Sequence, residues 1–166
     1  MKKITAFIMA ALMLFTLVGC GSTTESTPEP TPEATEAADE SKMPIESCVE
    51  LIKPVLENGF GEKYELDLNT EKHTLNIKIW GDDITPSAMK ARDGDQDMLA
   101  SWNDMVDGIL TLSQSIQTLI DENCDEDYSS MLLLMNEINK ENVLLVTSGS
   151  TVLYDAVNGI DLTSGS

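Results

Sequence analysis

The sequence predicts an α+β domain: an antiparallel sheet with a long amphipathic helix packed on one face, in the order α-ββ-α-βββ. Three observations carry this. Apolar residues recur at helical spacing from about Asp95 to Asp121. Short segments near residues 64–80 and 142–157 alternate or run apolar, with turn residues between them. The helical and strand segments are also segregated along the chain, which favours a two-layer arrangement over βαβ units.

The first element is a short helix over residues 44–58. Ile45, Val49, Ile52 and Leu56 fall on one face, and Pro44 suits the first turn. Pro54 removes a ladder N–H, so the helix is expected to kink or end near Ile52, with Asn58-Gly59 as the stop. A hairpin follows. Tyr64, Leu66 and Leu68 alternate with acids, Leu75, Ile77 and Ile79 alternate with polar residues, and residues 69–73 make the polar turn. Thr85-Pro86 reads as an N-cap and first helical position of a short helix to about Arg92, interrupted by Gly94.

The long helix carries Met98, Trp102, Met105, Ile109, Leu112, Ile116 and Leu119 on one stripe, widened by Leu99, Val106, Leu110 and Ile120. Asp95 and Asp97 sit at the positive end of its dipole. Met131 to Met135 is an apolar run that periodicity does not assign; a buried strand is preferred over a helix across 129–139 because strands follow it. Those strands are Asn142–Thr147 and Thr151–Val157, joined by Ser148-Gly149-Ser150.

The N-terminus reads as an address. Lys2 and Lys3 precede the apolar run Ile4–Val18, which is too short to span a bilayer comfortably, and the run ends Leu17-Val18-Gly19-Cys20. This ending resembles the lipobox of bacterial lipoproteins. The resemblance implies that residues 1–19 are a signal peptide, that Cys20 carries a diacylglyceryl group, and that the mature chain sits on the extracytoplasmic face of the cell membrane. Acyl chains hold to lipid at about 0.8 kcal/mol per CH₂. Residues 20–42 then form a lipidated Cys and a Thr/Pro/Glu tether, with six acids, one Lys and alternating Pro28, Pro30 and Pro32. Such a stretch buries too little to offset its ordering entropy and is expected to stay extended and disordered. Residues 43–166 make a single α+β domain.

The lipobox, the long Trp-containing helix and the stretch Glu141-Asn142-Val143-Leu144-Leu145-Val146 through Val152-Leu153-Tyr154-Asp155-Ala156-Val157-Asn158-Gly159 together resemble uncharacterised small surface lipoproteins of Gram-positive anaerobes. That resemblance brings no activity and no functional residues.

Charge narrows the partners. The whole chain has 10 basic and 29 acidic residues, net −19. Residues 43–166 hold 7 basic and 23 acidic, net −16, so the domain surface is itself anionic. Nucleic acid and electrostatic docking on anionic lipid are excluded as main partners, because both require a basic footprint. No Ser-centred elbow, H-E-x-x-H, Walker A or dinucleotide pattern is present. His73, the only histidine, reads as an exposed turn residue, and no cofactor is expected.

Asp93, Asp95 and Asp97 alternate like the start of a calcium loop, but Met98 and Asp104 stand where an EF-hand requires Gly and Glu. A looser cation site remains an expectation. Asp121, Glu122, Asp125, Glu126 and Asp127 crowd the unfavourable end of a helix dipole, which points to a cation or a basic partner. Cys48 and Cys124 either pair or remain separate thiols.

The function expected from sequence is therefore not enzymatic: a membrane-anchored extracytoplasmic binding or interaction module with a protein or cation partner, contacted through a hairpin face or the acidic loops. The alternatives are an accessory subunit of an envelope complex and a carboxylate-dependent cell-wall or sugar hydrolase, in which Trp80 and Trp102 would line the sugar.

Overall fold

The structure, a computed structural model, describes residues 42–163. The expected signal peptide, Cys20 and nearly all of the expected tether lie outside the described residues. The elements are α1 (Ile45–Phe60), β1 (Tyr64–Asn69), β2 (Thr74–Ile79), α2 (Ile84–Arg92), α3 (Gln96–Asn123), β3 (Ser129–Met135), β4 (Val143–Ser148), β5 (Thr151–Asp155) and β6 (Ile160–Asp161). The α+β class holds. One six-stranded sheet runs in sequence order from β1 to β6.

The sheet is mixed rather than antiparallel. β2 and β3 pair in parallel, from Thr74 opposite Ser129 to Ile79 opposite Leu134, and every other pair is antiparallel. The cause is the connection. A hairpin reverses direction, whereas a parallel neighbour needs a crossover of a dozen residues or more. α2 and α3 together provide that crossover and return the chain to the starting end of β2. The expected order also counted one helix between the two strand groups and lacked β6.

α1 runs through Pro54 instead of ending near Ile52. Pro54 and Glu50 both lie on the exposed side, so the carbonyl that loses its donor faces water. Ile45, Cys48, Val49, Ile52 and Leu56 are buried on the other side and keep the helix continuous across the gap. It stops at Gly61, whose φ of 62° and ψ of −127° form a backbone conformation that suits glycine and not residues with a Cβ, and the Gly61 N–H donates to Glu57 O at 2.8 Å.

α2 begins at Ile84, one residue before the expected cap. One of its free N-terminal donors is satisfied from elsewhere in the chain. The Thr85 N–H donates to both carboxylate oxygens of Glu137 at 3.0 Å, and the Thr85 hydroxyl donates to the same group. Glu137 thus ties the β3–β4 loop to the positive end of a helix. Gly94, at φ 100°, makes the turn into α3, where the Asp95 side chain accepts from the N–H groups of Asp97 and Met98 at 3.1 Å.

The buried line of α3 is Trp102, Val106, Ile109, Leu112, Ser113, Ile116 and Ile120. It is rotated slightly from the expected stripe: Met105 and Leu119 lie at its margin, and Ser113 occupies its centre. This line packs with α1 on the face of the sheet bearing Leu75, Ile77, Ile79, Leu132, Leu134 and Leu145, forming one continuous core. Gln117, from the flank of α3, holds the start of β3. Its Oε1 accepts from Ser130 N–H and hydroxyl at 2.7 and 2.8 Å, and its Nε2 donates to Tyr128 O at 2.8 Å.

Residues 129–135 form the preferred strand. Cys48 and Cys124 are paired as a disulfide across a sequence separation of 76, with Cα atoms 6.5 Å apart, and both are buried. Beside it, Met43 bridges to Cys124: Met43 N–H donates to Asn123 O at 2.7 Å and Asp125 N–H to Met43 O at 3.0 Å.

A cross-link closing a loop of this length removes about 4–5 kcal/mol of chain entropy from the unfolded state. The Cys48→Ala/Cys124→Ala protein is therefore expected to lose stability of that order in urea unfolding. Two alkylatable thiols in the unreduced, urea-unfolded wild type would contradict the pairing.

Candidate functional site

The helices cover only one face of the sheet. The register identifies a row across the other face: Glu65, Lys78, Leu133, Val146, Tyr154 and Asp161 stand opposite one another, strand by strand. Met131, opposite Asn76, extends the apolar centre. Met131, Leu133, Val146 and Tyr154 are half-buried among their neighbours and do not pack against the core. Glu65, Asp67 and Asp161 are exposed around them. Lys78 Nζ pairs with Glu65 at 3.1 Å, leaving the rim net negative.

This face is continuous with the β1 edge of the sheet. Trp80 N–H donates to Lys63 O at 3.1 Å, so Lys63 and Trp80 are a hydrogen-bonded antiparallel pair. In such a ladder these pairs alternate with non-bonded ones. Tyr64, Leu66 and Leu68 are the non-bonded positions, and their N–H and C=O groups point away from β2. Over this edge stands the C-terminal half of α1, enclosing an open groove of about 650 Å³ lined by Lys53, Glu57, Glu62, Tyr64, Glu65 and Leu66.

The Lys53 ammonium donates to Glu50, and that hydrogen bond raises its pKa above the ordinary value. With Lys53 so engaged and Glu65 shared with Lys78, Glu57 and Glu62 set the sign of the groove. Tyr64 hydroxyl donates to Glu57 Oε1 at 3.2 Å. Desolvation first, then the Glu57 charge, raises the Tyr64 phenol above its usual 10.0.

The sites expected from sequence fall differently. Asp93, Asp95 and Asp97 do not converge. Asp95 is used as the α3 cap, and among the described residues no group of three or more His, Cys, Asp and Glu is placed to hold a metal ion. Of the acids after α3, Glu126 places its carboxylate near His73, which sits in the β1–β2 turn at φ 50°. Its ring stacks on Tyr128 at 4.8 Å, and its Nδ1 lies 3.2 Å from Asp127 O and 3.7 Å from Glu126 Oε2. Burial, then Glu126, raises the Tyr128 phenol above its ordinary value.

Trp102 is a core residue whose Nε1 donates to both oxygens of Asp155 at 3.1 and 3.2 Å. The same buried carboxylate accepts from Val157 N–H, Asn158 N–H and Asn158 Nδ2 at 2.8, 3.0 and 2.7 Å. Asp155 is thus committed to holding the β5–β6 turn against α3. Trp80 carries the Lys140 ammonium 3.8 Å above its ring centroid. Neither Trp lines the groove.

The sequence reading missed the open-face row. Leu133 lies in a run without periodicity, and only strand register separates it from its buried neighbours Leu132 and Leu134.

No helix among the described residues is long and apolar enough to cross a membrane. Comparison with protein-family models, with curated proteins and with solved structures gave no match.

Because the Tyr64 phenol is raised in the fold, its contribution to stability is present below the unfolded value near 10 and is lost as pH rises through the folded one. Glu57→Gln is expected to bring the Tyr64 transition down toward 10. Ultraviolet titration of the phenolate, compared with Tyr64→Phe, checks this; an unmoved transition would refute the coupling.

Proposed function

We propose that the protein is a membrane-anchored extracytoplasmic lipoprotein whose domain acts as a binding module for a cationic protein partner. One observation carries the reading. The uncovered sheet face has an apolar centre, Met131, Leu133, Val146 and Tyr154, inside an acidic rim. Exposed apolar surface ringed by polar groups marks interaction sites. An apolar core with a charged rim is also how protein interfaces divide affinity from steering. The net charge of −16 over residues 43–166 selects partners of the opposite sign.

The anchor belongs to this reading through Cys20. A tether of 22 residues at about 3.1 Å each reaches at most roughly 70 Å from the membrane, enough for the domain to meet a neighbour in the envelope.

Cys20→Ser is expected to move the protein from the detergent phase to the aqueous phase on phase partition; unchanged partition would remove the anchor. A photo-crosslinking residue at Val146 is expected to yield protein adducts in envelope preparations that fade as salt rises, since exposed charge attraction is screened. The same residue at Asp107, exposed on the helix layer, is expected to yield none. Equal adducts at both positions, or none at Val146, would overturn the binding reading.

A further inference from the structure

We infer that β1 takes up an additional strand: an extended basic segment of another protein, with apolar residues alternating with Lys or Arg. This deepens the binding reading above and rests on it, by giving the partner a form.

Four observations meet at this edge. First, β1 is the terminal strand of the sheet, six residues long, free of proline and paired to β2 without a register shift. Natural edges are usually shortened, bulged or covered, and this one is open to pairing. Second, the ladder leaves the N–H and C=O groups of Tyr64, Leu66 and Leu68 directed outward, without backbone partners among the described residues. An incoming strand satisfies these groups by main-chain hydrogen bonds. Third, the groove between α1 and β1 lies on the side to which Tyr64 and Leu66 direct their side chains. Every second residue of the incoming strand enters it and meets apolar surface, with Glu57 and Glu62 at its border.

Fourth, the intervening residues of that strand fall beside Glu65 and Asp67 on the open face. Glu65 is already shared with Lys78, and Asp67 has no cationic partner among the described residues. Lys or Arg on the incoming strand supplies it. The same two acids oppose pairing with a second copy, because two β1 edges would set like charges against each other.

The test uses the full-length protein in neutral detergent and a labelled peptide of alternating Lys and Val. Expected results are saturable binding, slowed amide exchange at Tyr64, Leu66 and Leu68, and at least tenfold weaker binding to Leu66→Pro. That substitution removes an outward N–H and leaves the β1–β2 ladder intact. Should Leu66→Pro fail to fold, the surface variant Glu65→Lys/Asp67→Lys decides: it is expected to lose the Lys peptide and to gain an alternating Glu and Val peptide.

Binding without protection at those three amides, no binding at millimolar peptide, or indifference to both variants would overturn the edge proposal. If Val146 adducts persist in Leu66→Pro while the peptide result is negative, the binding reading stands and the added strand falls. If the adducts and the peptide both fail, both readings fall.

Discussion

The architecture depends on burying one stripe of α3 against one face of the sheet. A helix of 28 residues is about 42 Å long, more than the length of any strand beneath it. Its line from Trp102 to Ile120 supplies most of the helix layer; α1 beside β1, and Ile84, Ala88 and Ala91 of α2, complete it. Placing that helix between β2 and β3 has two results. The chain returns to the starting end of β2, so the two central strands run parallel. All helical cover also lies on one side, so the opposite face has nothing to bury it but its own neighbours. The surface on which binding is proposed is thus a by-product of how the core is closed.

Much of this was legible in the residues. α3, the first hairpin and the strands after it were marked by period alone, because their core-facing residues recur at 3.6 or 2. What escaped were features set by contacts distant in sequence. Pro54 reads as a breaker locally, yet the free carbonyl it creates faces water. Ser113 reads as polar in a window dominated by Met105, Leu112 and Leu119, yet it lies at the centre of the buried line. Its hydroxyl and that of Thr147 are buried without a partner among the described residues.

Glu137 and Asp155 each look like one more surface acid. Glu137 is instead a cap on α2 from a loop distant in sequence, and Asp155 closes its own turn while accepting from the Trp102 indole across the core. Parallel pairing leaves no mark in either strand, and with it went the register that assembles the open-face row. Conversely, Asp93, Asp95 and Asp97 carried a local signal for cation binding, of which the helix cap accounts for Asp95.

The fixing of Met43 and the disulfide beneath it bear on mechanics. Any pull arriving through the chain before Met43 reaches the domain at a short backbone bridge to Asn123 and Asp125. Behind that bridge, the covalent link from Cys48 to Cys124 joins the first turn of α1 to the end of α3. Tension therefore passes between two helices before it can reach a strand, and only the residues between Met43 and Cys48 can be stretched cheaply. The groove over β1 lies toward the other end of α1, roughly 8–14 Å along the helix axis from Cys48. A domain loaded in this way from its N-terminal side keeps the shape of the proposed binding edge.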